Sequence, residues 1–252
     1  TDVVVLGSGG AGLAAALTAA ASGAAVAIYE KAATVGGTTA VSGGITWIPA
    51  HDRLAGADLS VEDALKYLEA QSLGAMDREL VETFVRTGPA MLNFLEQHSD
   101  LRFDIAEGFP DYKPELPGGR PGGGRSLAAA PFDLAELGEW GGRITSFPVD
   151  FSNVGIDAET KARIHATVDE SLAQPCVAGT ALIAGLLKGL LDRGVEPVTE
   201  ARAIELLGSS DGIVGVRINH GGNDIRVRAR RAVILATGGF EWDAGLVEAY
   251  LR

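Results

Sequence analysis

The chain opens with a stretch that is almost entirely apolar or small, and the breaks in it fall at regular places. Asp2 to Leu6 is a β-branched run closed by Gly7, the composition of a strand buried in a parallel sheet. Gly12 to Ser22 is rich in alanine and leucine, which lose little side-chain freedom in a helix, and Gly23 is placed to end it. Ala25 to Tyr29 predicts a second strand that stops at Glu30. Strand, glycine turn, helix and strand make one βαβ unit.

Beyond Pro49 the period changes. Val61 to Ser72 and Arg78 to His98 place Leu65, Leu68, Leu80, Phe84, Met91 and Leu95 at helical spacings. Gly88-Pro89 divides the second stretch, and Pro89 suits the first position of a new helix. Gly108 to Arg125 follows as one long loop holding four of the ten prolines and six glycines. Loops of this length are usually functional or disordered. Asp157 to Leu172 has the charge pattern of a further helix.

From Cys176 strands and helices alternate again. Gly179 to Leu191 predicts a helix ending near Gly194, and Val198 to Leu207 and Ile213 to Asn219 predict strands around turn residues Ser209 to Gly212. Ile225 to Arg230 predicts another strand. Arg231 to Leu235 predicts an apolar, parallel-type strand running into Ala236-Thr237-Gly238-Gly239, and a potential helix begins near Asp243. The expected class is α/β, a nucleotide-binding domain over residues 1–50 plus 176–252, interrupted by a mostly helical cap over residues 51–175.

Composition narrows the partners. Of 252 residues, 46% are apolar and 21% charged, ordinary values for a globular chain with ample length to bury a core. The 21 basic against 33 acidic residues, a formal net charge of -12, argue against a nucleic-acid or anionic-membrane surface. Arg226, Arg228, Arg230 and Arg231, the densest basic patch, alternate along a predicted strand and read as one solvated face. A lone Cys176 gives no disulfide framework and points to a reducing compartment, the cytoplasm. No histidine lies near it in sequence to act as a base, so it reads as a structural thiol.

No membrane span is predicted. The N-terminal apolar stretch lacks a basic flank and is broken by glycines, and Val177 to Leu191 is short and interrupted by Lys188. His51, His98, His165 and His220 lie far apart without metal-ligand spacing, so no metal is expected. Glu62-Asp63 and Asp169-Glu170 read as helix-surface charge, and Trp140 and Trp242 as packing residues.

The candidate chemistry lies in Gly7-Ser8-Gly9-Gly10-Ala11-Gly12. Gly7 permits a tight turn out of the strand, Gly9 lets backbone approach a pyrophosphate, and Gly12 lets the helix lie close on the strands. Gly10 and Ala11 open a helix whose unpaired N–H groups and dipole favour an anion. Glu30, at the end of the second strand, is placed to accept hydrogen bonds from adenosine ribose hydroxyls. The continuation selects FAD over NAD. Ala16 and Gly23 fall at small-residue positions of the longer pattern. Gly36-Gly37, Thr38, Thr39, Ser42, Gly43 and Gly44 form a second glycine-and-hydroxyl loop able to follow the pyrophosphate and ribityl toward the flavin.

These residues, with Glu30-Lys31, Ser42-Gly43-Gly44-Ile45 and Ala236-Thr237-Gly238-Gly239, resemble the FAD-binding domain of the fumarate reductase/succinate dehydrogenase flavoprotein superfamily. The resemblance covers both ends of the chain and implies a Rossmann-like FAD-binding domain of glutathione-reductase type. It implies cofactor contacts from Gly7, Gly9, Gly10, Ala11, Gly12, Glu30, Lys31, Gly37, Thr38, Thr39, Ser42, Gly43, Gly44, Ala236, Thr237 and Gly238, with the backbone near Ala203 against adenine. Succinate dehydrogenases link a histidine covalently to the flavin. Gly37 stands at that position, which implies non-covalent FAD.

Within the superfamily, Thr46-Trp47-Ile48-Pro49 and the run Asp111-Tyr112-Lys113-Pro114-Glu115-Leu116-Pro117-Gly118-Gly119-Arg120 resemble the 3-ketosteroid Δ1-dehydrogenases. Gly124-Arg125-Ser126 and Pro131-Phe132-Asp133 extend the match. That group removes two hydrogens from adjacent carbons of a cyclic ketone: a tyrosinate takes a proton beside the carbonyl, and hydride goes to flavin N5. Tyr112, the one tyrosine on the matching stretch, is implied as the catalytic residue, and Phe109 holds the position considered for a second. The implied substrate is a steroid or another cyclic ketone.

In this superfamily the Ala-Thr-Gly-Gly strand is followed by roughly as much chain again. The chain, which starts at Thr1 without methionine, is therefore expected to be a fragment or one subunit, inactive alone. Two alternatives stand beside dehydrogenation of a CH–CH bond: a fumarate-reductase-type reductase of a small unsaturated acid, and a flavin-binding subunit that needs a partner chain for catalysis.

Overall fold

The computed structural model describes residues 1–53, 60–145, 175–210 and 212–251. The helix expected at Asp157 to Leu172 lies outside them. Strand β1 (Val3–Leu6) is buried at all four positions, since Val-Val-Val-Leu has no polar face to turn to water. It pairs in parallel with β2 (Val26–Tyr29) on one side and with β10 (Ala232–Leu235) on the other. Strand β6 (Pro197–Val198) adds to β2, giving the order β10-β1-β2-β6. Parallel neighbours need a crossover, and α1 (Gly10–Ala21) supplies it between β1 and β2. Its Leu13, Ala16 and Leu17 are fully buried. A four-residue helix, α2 (Gly37–Ala40), follows β2.

Between the two halves of this sheet lie a helical pair and a small antiparallel sheet. Helix α3 (Val61–Ser72) is capped by Ser60, whose hydroxyl accepts from the Asp63 N–H, and α4 (Arg78–His98) by Asp77. Strands β3 (Thr46–Trp47), β4 (Phe103–Ile105) and β5 (Ser126–Ala129) pair in the order β3-β5-β4, and a 3₁₀ segment spans Leu134–Arg143. The break expected at Gly88-Pro89 is absent, and α4 runs through Pro89. Val85, Gly88, Leu92 and Leu95 form one buried stripe on both sides of the proline. Burial of that stripe outweighs the hydrogen bond Pro89 cannot donate and its steric cost, together about 3 kcal/mol.

Residues of α4, β4, β5 and the link between α4 and β4 share one hydrophobic cluster with β1, α1 and α5 (Ala178–Leu191): Leu92, Leu95, Leu101, Phe103 and Leu127 belong to the same core as Val5, Leu17 and Ile183. The strand expected from Val198 to Leu207 is two strands. Thr199 and Glu200 separate β6 from β7 (Ala201–Ser209), and Glu200 takes a left-handed φ of 54°. That turn moves the chain from the parallel sheet into a meander of β7, β8 (Gly212–His220) and β9 (Asn223–Arg228). Alternation could not reveal it, because both pieces are extended. Arg226, Arg228, Arg230 and Arg231 are exposed as expected. Helix α6 (Ala244–Tyr250) starts at Asp243, whose carboxylate caps the Leu246 N–H. Among the described residues no helix is long and apolar enough to cross a membrane.

Cys176 has no exposed surface and exchanges backbone hydrogen bonds with Phe132. Burial pushes its thiol up to about 11 from an ordinary 9.0. Its contribution to stability is therefore complete below pH 9 and fades as pH rises toward 11, where only the unfolded chain gains by ionising. Urea unfolding of Cys176→Ala across this window is expected to show a shallower alkaline loss than the parent. An identical loss would mean that other groups carry it.

Candidate dinucleotide site and aromatic cavity

The end of β1, the start of α1 and the residue after β10 interlock through missing side chains. Gly7 has φ +105°, and a Cβ there would run into the Ala236 carbonyl; a Cβ on Gly12 would run into the carbonyl of Gly7. The N-terminus of α1 carries no acid in its first turn, and its N-cap, Gly9, offers no side-chain acceptor. The positive end of the helix is thus left for an external anion. In front of it lies a cavity of about 420 Å³.

Glu30 forms one end of that cavity and is 7% exposed. The Ser8 N–H and hydroxyl donate to its Oε2 at 2.9 and 2.7 Å, and the Ala32 N–H to Oε1 at 2.9 Å. Two carboxylate oxygens have about four acceptor sites, so three donors leave one for a ribose hydroxyl. The Ser8 hydroxyl also accepts from the Gly36 N–H at 3.2 Å, tying the second glycine loop to the first. Across the loops the Gly10 N–H donates to Thr39 Oγ1 at 3.1 Å.

Most of the residues expected at the cofactor meet here. Gly7, Gly9, Gly10, Ala11, Glu30, Lys31, Gly37, Thr38, Thr39, Ala203, Ala236, Thr237 and Gly238 line the one cavity. Gly12 stands behind it, packed on Gly7. Ser42, Gly43 and Gly44 do not line it. The Ser42 hydroxyl donates to the Thr39 carbonyl and accepts from the Gly44 N–H, and Gly44 lies tight against Ala178 at the start of α5.

The cavity also has walls that sequence reasoning missed: Ser8, Tyr29, Ala201, Arg202, Glu241 and Trp242. The Thr38 hydroxyl donates to Glu241 Oε1 at 2.6 Å, and the Trp242 indole N–H donates to Thr38 Oγ1 at 2.7 Å. The Thr38 bond, with backbone N–H groups, holds the Glu241 carboxyl below its ordinary range. Trp242 is half exposed, so it is a cavity wall and not the packing residue expected. No local signal marks a contact across two hundred residues. Ser8 could have been found, as the one hydroxyl inside the glycine run.

A second cavity, of about 270 Å³, shares no lining residue with the first. Trp47, Tyr67, Phe109 and Tyr112 give it aromatic walls. Tyr112 stands on its rim, 86% exposed, edge-on to Phe109 at 6.3 Å. Beneath lies an ion pair with both side chains 1% exposed: Arg125 Nη1 donates to Asp111 Oδ2 at 2.8 Å. Asp111 also accepts from the Trp47 indole at 2.8 Å and the Arg120 N–H at 2.9 Å. The Arg125 guanidinium lies about 6 Å from the Trp47 and Tyr67 ring centres, and burial pulls its pKa down. His51 Nε2 bonds the Gly124 carbonyl at 2.7 Å while Nδ1 accepts from the Arg53 N–H, which fixes Nε2 as the protonated nitrogen. Among the described residues no group of His, Cys, Asp or Glu could hold a metal ion.

A protein family described as an FAD binding domain matches residues 2–250. The chain is similar to 4-oxocyclohexanecarboxylate 2-dehydrogenase of Sinomonas cyclohexanicum, 38% identical over 99% of this chain and 45% of that protein. It is similar to 3-oxosteroid 1-dehydrogenase of Mycolicibacterium smegmatis, 36% identical over 100% of this chain and 49% of that protein. Among solved structures it is similar to 3-ketosteroid Δ1-dehydrogenase of Sterolibacterium denitrificans in complex with 1,4-androstadiene-3,17-dione. There the TM-score is 0.83 and the identity 28%, over 99% of this chain and 49% of that one. The chain spans about half the length of the curated relatives it matches.

Proposed function

The chain belongs to the FAD binding domain family, and from that premise we propose that it is the cofactor-binding part of a dehydrogenase that forms a C=C bond beside the carbonyl of a cyclic ketone. The carrying observation is likeness along its whole length to two dehydrogenases of oxo-substituted rings. The residues present fit FAD: a glycine cradle, an uncompensated helix N-terminus for pyrophosphate, and Glu30 with an acceptor site left for ribose. When bound, FAD supplies the hydride acceptor. Gly37 has no side chain to bond it, so the cofactor is held non-covalently, and Ser42 to Gly44 extend the site toward the ribityl.

The protein's own part is to hold the ketone and remove a proton. Residues 51–175 serve as a cap, and the aromatic cavity takes the flat face of a ring. Tyr112, on its rim, removes the proton beside the carbonyl. The remaining length of the relatives, in the same or a second chain, completes the site. A subunit that depends on a partner chain for all chemistry is the rival reading.

The test is anaerobic mixing of the FAD-loaded protein, joined to the length that completes the site, with 4-androstene-3,17-dione and with 4-oxocyclohexanecarboxylate, and of its reduced form with fumarate. Bleaching of the flavin by a ketone is the expected result. Silence toward all three selects the partner-dependent subunit, and oxidation by fumarate alone selects a reductase. Flavin that stays with the unfolded protein would contradict the non-covalent mode.

A further inference from the structure

We propose that Tyr67 is a positioning residue for Tyr112, an inference that rests on the role given to Tyr112 above. Tyr112 is exposed, on a loop rich in glycine and proline that would by itself leave the phenol free to wander. Its two neighbours are tied down. Asp111 is buried and holds three partners: Trp47, the Arg120 N–H and Arg125. On the other side, the Lys113 N–H donates to the Tyr67 hydroxyl oxygen at 3.2 Å. That amide belongs to the peptide joining Tyr112 to Lys113.

Tyr67 is well suited to act as a fixed post. It lies on α3, is 3% exposed, and its ring stands 5.8 Å from that of Trp47. Its oxygen also accepts from Gln71 Nε2 at 3.2 Å, so the phenol is fixed by its own helix one turn on. The loop meets α3 a second time at Gly118, where a Cβ would collide with the Asp63 carbonyl and come within 2.9 Å of the Tyr67 nitrogen. With both neighbouring residues held, Tyr112 keeps only its side-chain torsions. The hydroxyl of Tyr67 therefore acts on the reaction through the backbone of the residue that performs it.

The test compares Tyr67→Phe and Tyr112→Phe with the parent, all FAD-loaded, using 4-androstene-3,17-dione as the probe. A misplacement of about 1 Å can cost about 100-fold in rate. Tyr67→Phe is thus expected to slow flavin reduction at saturating ketone by about 10- to 100-fold, while affinity for the probe and for FAD changes by less than about threefold. Parent-like reduction in Tyr67→Phe, with Tyr112→Phe inactive, overturns the positioning role alone. Parent-like reduction in Tyr112→Phe overturns the role given to Tyr112 itself. A fall in ketone affinity equal to the fall in rate also overturns positioning. Amide exchange in the parent gives a readout free of both activity and refolding: Lys113 should be protected at least about tenfold over Glu115. Equal exchange at the two amides overturns the proposal even in protein that turns nothing over.

Discussion

Replacing Gly7 with alanine is expected to leave the protein without flavin and less stable by about 2–6 kcal/mol, the sum of backbone strain and overpacking. The strain arises because φ is +105°, a conformation that L side chains rarely adopt. The overpacking arises because the new methyl would meet the carbonyl of Ala236, the residue after β10, whose N–H is bonded to the Leu6 carbonyl at 2.9 Å. Relief would require β1 and β10 to part, and their separation would open the cradle. Gly23→Ala is the control. It shares a positive φ of +82° but has nothing within 4 Å, so it should cost only the backbone strain and keep its FAD. Flavin absorbance comigrating with protein on gel filtration, read beside urea midpoints, checks both. A yellow Gly7→Ala protein with the parent midpoint would mean that the turn and Ala236 are not interlocked.

The second large effect is expected at Asp111. Its removal in Asp111→Ala strands the buried Arg125 guanidinium and should cost about 3–5 kcal/mol. The Trp47 indole and the Arg120 N–H lose their carboxylate in the same step. Without Asp111, Nη1 of Arg125 keeps only the neutral Gly118 carbonyl at 2.9 Å, and its Nε and Nη2 have no acceptor among the described residues, so no carboxylate remains bonded to the guanidinium. Replacing both members, Asp111→Leu with Arg125→Met, removes the charge along with its partner and should be far milder than the single change. Urea unfolding of the two singles and the double measures the difference. FAD affinity should be little changed in all three, since the cavities share no lining residue. A double variant as unstable as Asp111→Ala would show that shape, and not charge, dominates.

Where the sequence could be read, a residue type answered a local demand of the backbone. Gly7 and Gly12 stand where the strand-to-helix turn leaves no room for a Cβ, and Gly7 and Gly9 line the cavity in front of α1. Glu30 was legible as the acid at the end of β2, but its bonds to Ser8 were not, because they form only when parallel pairing lays the end of β2 beside the turn after β1. Pro89 misled for the opposite reason: a local rule for helix ends yielded to burial of Val85, Leu92 and Leu95 on one stripe. Contacts made across the chain left no trace. Glu241 and Trp242 meet Thr38, and Arg125 meets Asp111, only once the fold brings them together. The aromatic loop could be matched by resemblance, but no local pattern singled out Tyr67, whose hydroxyl meets the Lys113 N–H only in the folded chain.

The pairing of β1 with β10 has a consequence for how the protein is made. Val3 pairs with Ala232, so β1 receives one of its two neighbours only once synthesis has run on from Val3 to Ala232. Until the ribosome has released that neighbour, four apolar residues present an open sheet edge, a surface that invites chaperones or a second nascent chain. An arrested chain ending before Ala232 carries every glycine of the fingerprint, yet the Ala236 wall of the cradle does not exist. In this fold the cofactor can serve as a reporter of that pairing: a ribosome-bound chain that has acquired its flavin has already brought β1 and β10 together.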